Sequence, residues 1–86
     1  MAAELPERLQ GVELFAWVGE DELGSGQIGI KQGLVPAGMI PIVATSPKVG
    51  RPEIAAQMDA QARLSGKRIY LVRFTAVEVV METATG

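Results

Sequence analysis

Cysteine, histidine and asparagine are all missing from this 86-residue chain. Without cysteine there is no disulfide framework and no thiolate chemistry. Without histidine the commonest general acid–base group is gone, and with both missing a transition-metal site loses its preferred ligands. The lack of asparagine removes any N-glycosylation acceptor. No apolar run approaches the roughly 18 residues of a membrane-spanning helix. The opening MAAELPERLQ carries acids and lacks the apolar stretch of a secretory signal. A chain rich in Ala, Gly, Val and Arg but lacking Asn fits a GC-rich bacterial genome, so a bacterial cytoplasm is the expected location, with no membrane association.

Clustered basic charge is also absent. The net charge is −2, and the basic residues Arg8, Lys31, Lys48, Arg51, Arg63, Lys67, Arg68 and Arg73 are dispersed. A nucleic-acid binder needs a basic footprint, so nucleic acid is not an expected partner; Lys67, Arg68 and Arg73 read as a solvated edge. What is present is 48% apolar and 21% charged residues, the balance of a globular fold. A chain of about 60 residues buries only roughly 60% of its unfolded surface. At this length one domain is expected, of marginal stability or supported by an oligomer.

Residues 51–66, RPEIAAQMDAQARLSG, predict the main helix. Pro52 suits the first helical position, Glu53 the positive end of the dipole, and Gly66 the left-handed stop. Ile54, Ala55, Met58 and Ala62 fall on one stripe at 100° per residue, while Asp59 and Arg63 form an i,i+4 pair elsewhere. Residues 68–74, RIYLVRF, follow as a strand. The unbroken run Ile69-Tyr70-Leu71-Val72 suits a central strand covered on both faces. Residues 39–44 are its expected partner, making a strand–helix–strand crossover if the two run parallel. Pro41 sits awkwardly there, because proline cannot donate to a ladder and belongs at an edge.

Residues 1–10 read as a flexible segment or a single helical turn at Pro6, and residues 11–86 as one α+β domain. Residues 12–19 predict the first strand, with Val12, Leu14, Ala16 and Val18 on one face and Glu13, Phe15 and Trp17 on the other. An acidic, then glycine-rich turn follows, and a second strand over 27–35 with a bulge or bend at Gly33. Val35-Pro36-Ala37-Gly38 has the pattern of a β-turn. After Phe74, Thr75-Ala76-Val77-Glu78 matches a capping box and favours a short terminal helix, against which the β-branched Val77, Val79, Val80 and Thr83 favour a strand. The expected order is β-β-β-α-β, a mixed sheet with one main helix packed on a face.

Three groups of residues bear on function. Gly24-Ser25-Gly26-Gln27-Ile28-Gly29 is a literal G-x-G-x-x-G, and with Lys31 nearby it defines a phosphate- or nucleotide-binding candidate comprising Gly24, Ser25, Gly26, Gly29 and Lys31. A dinucleotide site needs a helix after this motif and an acid about 20 residues on; Gly33 and Pro36 disfavour the helix, and residues 46–52 hold no acid. A hairpin turn is the preferred reading. Glu20, Asp21 and Glu22 offer hard oxygen ligands or a carboxylate-dependent enzyme, but consecutive residues do not converge without a tight turn, and a solvated loop tip is the simpler account. The third group is a second apolar helix row, Ala56, Ala60 and Leu64, opposite the core stripe, joined as a candidate contact by Phe15 and Trp17. With no catalytic set, cofactor motif or metal spacing, the leading expectation is an interaction domain acting through a homo-oligomer or a protein partner.

Overall fold

The structure is a computed structural model describing residues 4–20 and 25–83. The one α-helix among the described residues, α1, spans Pro52–Ser65, with Pro52 in the first turn and Gly66 closing it at φ 70°. A left-handed residue lets the Gly66 N–H turn back onto the Ala62 carbonyl, 2.9 Å away. The expected stripe faces inward: Ile54 and Met58 are buried, and Ala55 and Ala62 half-buried. Arg63 and Asp59 pair at 3.0 Å on the outside.

The strands are β1 (Glu13–Glu20), β2 (Ile28–Ile30), β3 (Gln32–Val35), β4 (Gly38–Pro41), β5 (Val43–Ala44) and β6 (Ile69–Thr75). The pairings between these strands are antiparallel. β1 is the hub. Along one side it pairs with the whole of β6; along the other it pairs with β2 near its end and with β5 near its middle. Between β2 and β5 the chain leaves the sheet as the hairpin β3–β4, closed by Pro36 and Ala37 with Val35 opposite Gly38. A ring of three backbone hydrogen bonds marks the departure. Lys31 N–H donates to the Trp17 carbonyl (2.7 Å), Trp17 N–H to Ile42 (3.1 Å), and Ile42 N–H to Lys31 (3.0 Å).

The α+β class with one main helix on a sheet face stands, and several expectations about the strands are corrected. β6 does not pair with residues 39–44. β5 and β6 both run antiparallel to β1 and flank it, so they are parallel to each other but separated. β6 is therefore an edge strand of this sheet and β1 the central one. The strand over 27–35 is split at Lys31, where it changes partners. Gly33 is neither bulge nor bend but a point of close packing: a Cβ there would lie 3.0 Å from Ile42 Cγ1 and 3.3 Å from Met58 Cε. Residues 76–83 form no helix; they are irregular, with an isolated bridge at Val79. β-branching outweighs the capping pattern there because no apolar partner fixes a first turn. Near the N-terminus, Glu7–Leu9 makes the single turn, of 3-10 type, after Pro6.

The core lies between α1 and one face of the sheet. Ile42, Ile54 and Met58 form it, with Trp17, Val35, Val49 and Ile69 packed around them. Trp17 carries its polar edge into this layer, its indole N–H donating to the Val49 carbonyl at 2.7 Å. That bond pins the 3-10 turn Pro47–Gly50 against the sheet ahead of α1. α1 also seals the outer edge of β3. Leu34 N–H donates to Gln57 Oε1 and Gln57 Nε2 donates to the Leu34 carbonyl, both at 2.7 Å, while Gln61 Nε2 reaches the Gln32 carbonyl at 2.8 Å. Two glutamines one helical turn apart thus stand in for a missing neighbour strand, answering the unpaired groups of an edge. Pro41 stands opposite Gln32, whose carbonyl is turned outward to Gln61, so the proline's missing N–H costs no ladder bond.

Candidate functional site

Side chains alternate across a sheet, so the residues that face away from α1 follow from the register. Trp17 and Ile69 belong to the covered face. The opposite face therefore carries Leu14, Ala16 and Val18 of β1, Tyr70, Val72 and Phe74 of β6, Ile28 and Ile30 of β2, and Val43 of β5. None of the nine is charged. Glu20 closes the central row and is ion-paired with Lys67 at 3.9 Å. Ala16 and Val18, in the middle, are buried and flanked across the strands by Val43, Val72, Ile30 and Tyr70. The taller side chains around them are open: Ile28 is 68% exposed, Tyr70 54%, Ile30 48% and Phe74 47%. Half of a three-row sheet surface is thus apolar and uncovered.

Only part of the glycine-rich candidate falls among the described residues. Gly24 lies outside them, as do Asp21 and Glu22. The Ser25 hydroxyl accepts the Gln27 N–H at 3.2 Å, a local turn, and Gly26 has φ 79°. The motif then enters β2, which pairs antiparallel with β1 and sets Gly29 opposite Gly19; no helix directly follows it. Lys31 lies on the α1 side, beside Gly19, with Nζ donating to the Glu20 carbonyl at 3.3 Å.

The helix candidates occupy a different place. Ala56, Ala60 and Leu64 are exposed on α1, Leu64 at 90%. Phe15 is half-buried in β1, and Trp17 is part of the core. Leu64 and Lys31, from two different candidate groups, meet with Gln61 and Ser65 around an open depression of about 280 Å³. Sequence reasoning missed the open face as a surface. Its signal was present in residues 69–72, whose unbroken apolar run has the composition of a strand covered twice.

Comparison with protein-family models, curated proteins and solved structures found no match for this chain. Among the described residues, no helix is long and apolar enough to cross a membrane.

Proposed function

We propose that this chain is a binding domain, and that its working surface is the open sheet face centred on Ala16 and Val72. The observation that carries this reading is the mismatch between β6's composition and its surroundings. Ile69 and Leu71 point to the covered side with Arg73 and Thr75, while Tyr70, Val72 and Phe74 supply a more apolar second side on which Tyr70 and Phe74 stand about half-exposed. An exposed apolar patch of this extent is a hallmark of interaction sites, because water gains by its removal and polar residues are the cheap alternative for a surface with no partner. Aromatic residues at its edge, Tyr70 and Phe74, are of the type that anchors interfaces.

The absence of native cysteine makes the test direct. A Tyr70→Cys chain carries one thiol on the face, and a Ser65→Cys chain carries one at the exposed end of α1. If the face is occupied, the Tyr70→Cys thiol reacts with maleimide more slowly than the Ser65→Cys thiol, in cell extract, in purified protein or in both. Equal labelling rates in both settings would remove the reading.

A further inference from the structure

The structure points to a second copy of this chain as what covers the open face, in a two-fold dimer that stacks the two sheets and leaves a helix on each outer side. We infer this from area, from core size and from the chemistry of the face; it rests on the open-face reading above.

Area comes first. A folded monomer of 9.1 kDa exposes roughly 4,900 Å², whereas this chain exposes 6772 Å². The radius of gyration is 15.3 Å, against about 12 Å for a compact domain of this length. The surplus is about 1,900 Å² over the whole chain, and a standard interface takes ~800 Å² per partner. Part of it belongs to residues 76–83, where Val77, Val80 and Met81 are each more than three-quarters exposed; these too become available to a partner.

Core size says which partner. Among the described residues only Ala16, Val18, Ile42, Ile54 and Met58 are buried apolar side chains. Two of those five, Ala16 and Val18, lie on the open face itself, leaving three in the layer beneath α1. So small a core gives little independent stability, and the cover has to be present whenever the chain folds. Another copy meets that requirement without a second gene product. The face is also compatible with itself: its interior carries no charge, so two copies meet without like-charge repulsion, and the bordering Glu20 is already paired to Lys67. Small Ala16 at the centre, with Tyr70 and Phe74 standing on either side along the sheet, lets two sheets approach and interdigitate as in a sandwich.

The test is the mass of the full chain by light scattering across a dilution series, paired with cross-linking. The expected mass is twice that of the chain; a monomer mass throughout overturns the proposal. Val72→Cys and Leu64→Cys then report which surface is shared, through a flexible bis-maleimide. Faster linking at Val72→Cys supports the face; equal rates, faster linking at Leu64→Cys, or no linking at either overturns it. Val72→Cys is a small change on a half-buried site, so the cross-link decides even where a disruptive variant such as Tyr70→Glu fails to fold. A monomer mass with Tyr70→Cys still shielded in cell extract removes the second copy while leaving the open-face reading in place. Free labelling in both settings removes both.

Discussion

The two faces of this sheet differ in composition and in fate: one mixes Phe15, Trp17, Ile69 and Leu71 with Glu13, Arg73 and Thr75, and the other is apolar-class apart from Glu20. On one, Trp17 and Ile69 meet Ile54 and Met58 of α1, and polar needs are answered within the chain: the indole N–H goes to Val49 and the outer edge of β3 goes to Gln57 and Gln61. On the other, Tyr70, Phe74, Ile28 and Ile30 stand about half-exposed or more, and the Tyr70 hydroxyl is the one polar group among these four side chains. A face that is finished within the chain carries hydrogen-bond partners at its margins. The open face, bordered by Glu20, is the one that the proposed dimer would close from outside. Hydrophobic burial is non-directional, so it tolerates any cover of suitable shape; the polar clamps belong where the cover is always the same helix.

Variants that damage the covered face sharpen this contrast, because they act within a single chain. The largest effect is expected for Met58→Ala. Met58 is only 1% exposed, and truncating a fully buried side chain of this size costs about 2–5 kcal/mol, read as a lower urea midpoint at fixed protein concentration. Next is Gly33→Val. Its Cβ would press on Ile42 and Met58, and overpacking of this kind costs about 1–3 kcal/mol; an unchanged midpoint would mean that the β3–β4 hairpin is not held against α1 as described. The smallest is Gln57→Ala, which removes both bonds to Leu34 at a partly solvated edge for about 1 kcal/mol. Its more specific readout is faster hydrogen exchange at the Leu34 amide. None of the three touches the open face, so the dimer-directed measurements should keep their surface preference in any variant that remains folded.

How far the sequence was legible differs by element. α1 was readable to within a residue at each end, because Pro52, Gly66 and the Ile54/Met58 spacing are local signals that act through the backbone itself. The first strand and the Pro36-Ala37 turn were readable for the same reason. Strand neighbours were not. Residues 39–44 and 69–74 carry equally good strand patterns, and nothing local in either says that β1 lies between them. The split at Lys31 was invisible because it is made by backbone hydrogen bonds to Trp17 and Ile42, which any residue there can supply. Gly33 was noticed, but its reason was not: the approach of Ile42 and Met58 is a fact of packing. Among the candidate residues, Gly29 falls in β2, which pairs back on β1, Trp17 proved to be core, and the surface made by Tyr70, Val72 and Phe74 was hidden inside a run that reads as a buried strand.

By itself, then, the sequence determined the helix and its inward stripe, the approximate positions of the strands, the α+β class and the poverty of catalytic groups, since these depend on propensity, period and composition. Only the tertiary structure decided that β1 is the hub, that β6 lies at an edge, and that one apolar face is sealed while the other stays open. The physical reason is that a period of two tells which side chains share a face, but not which face α1 will cover.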